Sequence, residues 1–203
     1  MPDYQRIVRD RLLYKALEFG LILVLALGSA KAAEHCTLAH PLTCSNTNEL
    51  VWNKSFQKEV RAFLFAQHGD YAVRGETVSN QALDVLGGPP DSRKTLDDLV
   101  LFGACMFRNC GEKGAALLDL NGRVEAIGML DACNSTHKPL PNCFLHMTLT
   151  TFVREDDHRK AAIAAMSDWA MEAIAAENNA KSSVDLGTVD LGRVQVIDIE
   201  LSR

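Results

Sequence analysis

The chain has 203 residues, a formal charge of −5, and 47% apolar and 23% charged residues. These values fit one globular domain with a short tail and exclude a disordered, collagen-like or polytopic membrane chain. The acidic balance, without a Lys/Arg stripe, argues against nucleic acid as a partner.

Residues 1–32 read as a secretory signal. Arg6, Arg9, Arg11 and Lys15 form a basic segment, and Phe19 to Ala30 is a charge-free run of twelve residues. Spanning a bilayer takes about 20 apolar residues, so this run is short for an anchor. Ala30-Lys31-Ala32 supplies the small-x-small cleavage pattern. Once the signal is removed, no membrane association is expected. The segment holds five cations and three anions, so its loss takes the net charge from −5 to −7. An acidic exported protein is suited to a basic partner, because complementary fields raise encounter rates.

All six cysteines follow the signal: Cys36, Cys44, Cys105, Cys110, Cys133 and Cys143. An even count in an exported chain reads as three disulfides in an oxidising compartment. Sequence proximity pairs 36 with 44, 105 with 110 and 133 with 143. Each bridge closes a short loop, which the chain-entropy account values at roughly 2–3 kcal/mol.

In chain order, residues 33–48 read as a disulfide-clipped arm, and 49–203 as a single domain. A helix is predicted from Glu49 to about Gln67, capped by Thr47 or Asn48. Its apolar positions Val51, Trp52, Phe56, Val60, Phe63 and Leu64 recur at helical spacing. Ser79 to Leu86 is a shorter helix with Ser79 as cap, stopped by Gly87-Gly88-Pro89-Pro90. Leu99 to Ala104 is a short apolar strand. Gly114 to Leu120 and Arg123 to Leu130 flank Asn121-Gly122, a strong hairpin signal. Phe144 to Val153 is a further strand. Glu155-Asp156-Asp157 opens a helix to about Glu177, with acids placed to offset the helix dipole and a core stripe of Ile163, Met166, Ala170, Ala173 and Ile174. Val184-Asp-Leu-Gly-Thr and Val189-Asp-Leu-Gly-Arg read as turns, and Val194 to Leu201 as the last strand. This order predicts an α+β domain: a central antiparallel sheet, flanking helices and disulfide bracing.

No Gly-x-Ser-x-Gly, His-Glu-x-x-His, Walker or dinucleotide-binding pattern occurs, and no Cys-x-x-Cys. The six histidines lack ligand spacing, although His35 and His40 lie beside Cys36 and Cys44. Asp97-Asp98 and Asp156-Asp157 are the candidate carboxylate pairs for a glycosidase-like mechanism, but adjacent strand residues point to opposite faces. The expectation is a non-enzyme with no cofactor and no metal.

One segment stands apart: Cys105-Met106-Phe107-Arg108-Asn109-Cys110-Gly111. A strand delivers the chain to Cys105, four residues protrude, and Gly111 permits a positive φ as the next strand begins. A bridged loop loses little entropy on binding. Its tip carries a cation beside two apolar residues, the residue types that anchor interfaces. A guanidinium also matches a carboxylate bidentately.

Ala104-Cys105-Met106-Phe107-Arg108-Asn109-Cys110-Gly111, followed by the apolar Gly114-Ala-Ala-Leu-Leu and the strand Arg123 to Leu130, resembles the inhibitor of vertebrate lysozyme family of Gram-negative periplasmic proteins. The resemblance spans roughly residues 49–131. It implies an α+β fold with a central antiparallel sheet and an inhibitory loop that plugs a lysozyme cleft. The family's loop usually presents a histidine where this chain has Arg108, and Lys-Pro where it has Met106-Phe107. That histidine is thought to engage the catalytic carboxylates of the lysozyme. The resemblance therefore implies a partner that is a C-type lysozyme or other peptidoglycan hydrolase; for the chain itself, a monomer and a homodimer are both left open. A periplasmic immunity protein against a bacterial toxin, or a periplasmic hydrolase, are the alternative functions.

Overall fold

A computed structural model describes residues 35–133, 142–180 and 187–200, which belong to one compact unit. The segment read as a signal lies outside them. So do His137 and most of the loop closed by Cys133 and Cys143, whose ends are described.

Six strands form one sheet in sequence order: β1 (Lys94–Leu96), β2 (Leu99–Met106), β3 (Asn109–Asp119), β4 (Val124–Asp131), β5 (His146–Arg154) and β6 (Asp190–Ile199). The first five pair antiparallel, and β6 joins β5 in parallel. The sheet is thus mostly, not wholly, antiparallel. A parallel neighbour needs a crossover, and helix α4 (Arg159–Ala180) supplies it. Asn178, near the end of α4, fixes the return: its side chain donates to the Val189 carbonyl at 2.8 Å and accepts from the Val189 amide at 2.9 Å. The Val189-Asp-Leu-Gly-Arg segment therefore leads into β6 and is not a turn.

Helices cover both faces. On one lie α1 (Thr47–Val51), α2 (Lys54–Phe63) and α3 (Val78–Leu86), whose Leu50, Phe56, Val60 and Val85 pack on Phe102, Ile127 and Phe152. On the other, Met166, Trp169, Ala170 and Ile174 of α4 pack on Leu101, Leu117, Ala126 and Leu149. Covering both faces explains why every residue of β4 is buried. The α4 stripe is turned slightly from expectation: Ala162 and Trp169 are buried, while Ile163 and Ala173 are only partly so.

The predicted first helix is broken in two. Asn46, rather than Thr47 or Asn48, caps α1, accepting from the amides of Asn48 and Glu49. A second asparagine, Asn53, caps α2 through the amides of Ser55 and Phe56. The break carries Trp52 out of the core to 75% exposure. Thr77, not Ser79, caps α3. The Glu155-Asp156-Asp157 acids precede α4, and its first turn holds none. Instead Asp156 accepts the His158 amide and an Arg123 guanidinium.

The Asn121-Gly122 turn forms as expected, with Gly122 at φ 84°. Asp119 braces it by accepting the amides of Asn121 and Arg123. A side chain at Gly122 would strike the Leu38 carbonyl, so the disulfide-clipped arm lies against this turn. All three predicted disulfides form. Among the described residues, no helix is long and apolar enough to cross a membrane.

Phe152 is fully buried and meets Tyr71 edge to face, with ring centroids 5.2 Å apart. Phe152→Ala should cost about 3–5 kcal/mol in urea unfolding, the range for emptying a buried aromatic site.

Candidate functional site

The β2–β3 hairpin carries the Cys105–Cys110 segment to one end of the sheet. The strands continue further than expected: Met106 pairs with Asn109, so only Phe107 and Arg108 form the turn. The left-handed backbone falls on Arg108, at φ 64°, and not on Gly111. Two-residue hairpin turns place positive φ within the turn itself. Gly111 already lies in β3.

The tip is exposed and its base is held. Phe107, Arg108, Asn109 and Cys110 face solvent, whereas Cys105, Met106 and Gly111 are half-buried. Met106 packs against the core on the α1–α3 side, so it anchors the hairpin instead of standing at its tip. The disulfide ties the two strands, with Cα atoms 4.7 Å apart. Behind it, the Gly87-Gly88-Pro89-Pro90 segment lies flush. The Cys105 amide donates to the Pro89 carbonyl at 3.1 Å, and the Asp91 amide to the Gly103 carbonyl at 2.8 Å. A side chain at Gly88 would collide with the backbone of Cys105, Met106 and Phe107. On the other face, Lys113 donates to the Cys110 carbonyl and pairs with Glu177 of α4 at 3.1 Å. The Arg108 guanidinium stands 5.2 Å from the centroid of the Phe107 ring, a cation–π contact.

Beside Phe107 runs a groove of about 560 Å³, also lined by Val51, Trp52, Gln57, Leu83 and Asp84. Trp52 at 75% and Phe107 at 64% exposure are large apolar side chains on its rim. Burial, and secondarily the nearby Glu76, raises the Asp84 carboxyl above its ordinary value. In the sequence, the exposure of Trp52 is hidden by its place on the apolar spacing of one long helix. The sign that separates it is Asn53, which caps a new helix immediately after it.

Two residues beyond Cys110, Glu112 is buried on β3. Its carboxyl rises from 4.5 to about 8. Desolvation is the main cause and the Asp131 charge the next; a hydrogen bond from the Ala132 amide and the Lys113 charge oppose them.

At the opposite end of the sheet, the acids that adjacent spacing kept apart converge from different elements. Asp98, in the β1–β2 turn, lies 3.0 Å from His158 Nε2. Asp156 lies 3.3 Å from Arg123, which also holds the buried Glu125 at 2.6 Å. Glu125 rises to about 7, through burial first and Asp156 second, with Arg123 opposing. His146 pairs with Asp190 at 2.7 Å on the sheet edge. His35 and His40 are exposed on the arm.

Comparison of the chain with protein-family models, curated proteins and solved structures finds no match.

Glu112 gives a pH test. Its folded value lies above its unfolded one, so the folded chain holds a proton that the unfolded chain loses near 4.5. The stabilisation is complete below that pH and disappears as pH rises through about 8. Glu125 acts in the same sense up to about 7. From pH 7 to pH 8 Glu112 is the larger of the two contributors. Over that step, stability from urea unfolding should fall by about 1 kcal/mol more in the wild type than in Glu112→Gln, which keeps the smaller fall due to Glu125. An equal fall in both proteins would show that the proton is held elsewhere.

Proposed function

We propose that this protein is an exported, non-enzymatic inhibitor of a C-type lysozyme or related peptidoglycan hydrolase, acting in the periplasm through the Cys105–Cys110 hairpin. The observation that carries this reading is the braced hairpin, whose two-residue tip exposes a cation, Arg108, stacked on an aromatic ring. Its likeness to the loop of the lysozyme-inhibitor family supports it.

In this mechanism the tip enters the cleft and the Arg108 guanidinium pairs with the acidic groups that perform hydrolysis there. A guanidinium is always charged and matches a carboxylate through two parallel hydrogen bonds. Where the family presents a histidine, this chain presents a longer and permanently charged group, so binding should not titrate through a loop imidazole. Phe107 fills apolar space beside the carboxylates, and Asn109 offers further hydrogen bonds. The disulfide, Gly88 and Pro89 hold the hairpin before the partner arrives, so little conformational freedom is lost on binding. A net charge of −7 after removal of residues 1–32 steers the inhibitor to a basic lysozyme.

The test is lysis of bacterial cell walls by a C-type lysozyme in the presence of the purified, oxidised protein. Inhibition is expected at near-stoichiometric concentration. Arg108→Ala should weaken binding by about 2–5 kcal/mol, some thirtyfold or more, as truncating one partner of a buried charge pair does. An unchanged dissociation constant for that variant rules out the hairpin as the inhibitory element. Failure of the folded wild type to inhibit rules out this class of target.

A further inference from the structure

We propose that Glu125, Asp156 and His158, at the end of the sheet remote from the Cys105–Cys110 hairpin, form a binding site for a divalent transition-metal cation of the zinc class. The site does not depend on the inhibitor reading.

Two segments bring the ligands together: Glu125 comes from the start of β4, and Asp156 and His158 from the loop between β5 and α4. One ligand atom from each lies within 4.8 Å of the other two. Around a single zinc ion, at about 2.0–2.2 Å from each ligand, such atoms stand roughly 3.3 Å apart. Small rotations of Asp156 and His158, both only partly buried, close the difference.

The histidine is oriented for this role. Its Nε2 faces the Asp98 carboxylate at 3.0 Å, which places the ring proton there. Nδ1 then carries its lone pair toward Glu125 Oε2, 3.9 Å away. A carboxylate that accepts the far N–H is the usual outer partner of a metal-binding imidazole.

A second, independent observation points to a ligand. The Glu125 side chain is 1% exposed, and its Oε1 is held by Arg123 at 2.6 Å. Among the described residues, nothing donates a hydrogen bond to its buried Oε2 or partners the buried His158 Nδ1. Arg154 stays 3.7 Å from that oxygen, beyond hydrogen-bond reach. The buried Glu125 Oε2 and His158 Nδ1 thus face one another 3.9 Å apart with no hydrogen bond between them. Leaving buried polar atoms unsatisfied is costly, and one cation satisfies both.

The charges allow it. Arg123, Arg154 and the amino terminus of α4 oppose a cation. Against the two guanidiniums stand the carboxylates of Glu125, Asp156, Asp119, Glu59 and Asp98. The mixed imidazole and carboxylate set favours zinc or its neighbours over magnesium or calcium, which prefer all-oxygen sites. Three protein ligands leave a fourth position for water or a partner's group.

The experiment is calorimetric titration of the metal-stripped, oxidised protein with zinc sulfate near pH 7.4, with cobalt(II) as a spectroscopic probe. The wild type should bind one zinc ion per chain more tightly than about 10 μM, and the cobalt form should show the intense visible absorption of a low-coordinate site. His158→Ala should weaken binding at least tenfold and abolish that absorption. Asp156→Asn, on a partly exposed loop, should do the same and serves if the first variant fails to fold. The pair His35→Ala and His40→Ala should leave both signals unchanged. No zinc binding by the wild type overturns the proposal, as does binding retained in folded His158→Ala and Asp156→Asn or lost with the arm histidines.

Discussion

A sheet buried on both faces constrains everything else in this molecule. Its central strands are apolar on alternate residues in both directions, because α1–α3 cover one side and α4 the other. A shift of register by one residue would exchange the two faces. On β3, that would set Leu117 against the three short helices and Leu118 against α4. The Asn121-Gly122 turn and the β2–β3 pairing hold this register, and the same pairing determines where the chain can leave the core. Polar chemistry is therefore displaced to the two ends of the sheet.

The two ends are built differently. At one, β2 and β3 project as a hairpin and are tied by covalent and backbone contacts: the Cys105–Cys110 bridge, the Cys105 amide on Pro89 and the close approach of Gly88. The exposed tip thus depends little on side-chain electrostatics. At the other end the turns are held by ions. Arg123 joins Asp119, Glu125 and Asp156, while Arg154 reaches the Val124 carbonyl and Glu59 and lies 5.5 Å from the centroid of the Phe63 ring. Salt acts on the ionic end more than on the hairpin, whereas pH reaches both, through Glu125 at the ionic end and Glu112 two residues beyond Cys110.

What the sequence disclosed follows from how local each cause was. Cysteine pairing was legible because each bridge joins near neighbours, and the β3–β4 turn because Asn-Gly has a strong backbone preference. The hairpin was legible as a presented segment, since an apolar strand runs directly into a cysteine pair. Its internal geometry was not. Only strand pairing moves Met106 into the core and places positive φ on Arg108. The exposure of Trp52 was hidden because a two-residue break with a second asparagine cap leaves helical spacing almost unchanged. The parallel placement of β6 follows from the return path of α4, and the meeting of Asp98, Asp156, His158 and Glu125 from the β1–β2 turn and the β5–α4 loop converging on the start of β4. Neither is a property of neighbouring residues.

The proposed inhibition has a geometric consequence. A two-residue tip covers far less than the roughly 800 Å² per partner of a stable protein interface. Arg108 and Phe107 alone cannot supply tight binding. The additional area has to come from surfaces continuous with the hairpin. On one side these are the groove rim at Trp52 and the wall formed by Leu83 and Val51; on the other is the hollow of about 440 Å³ between the hairpin base and the end of α4. The first offers a large exposed aromatic, the residue type that most often dominates interface energetics. The second is lined by alanines and the Lys113–Glu177 pair, whose charges already satisfy one another. In the proposed complex, a partner that accepts the tip gains more by leaning toward Trp52 than toward α4.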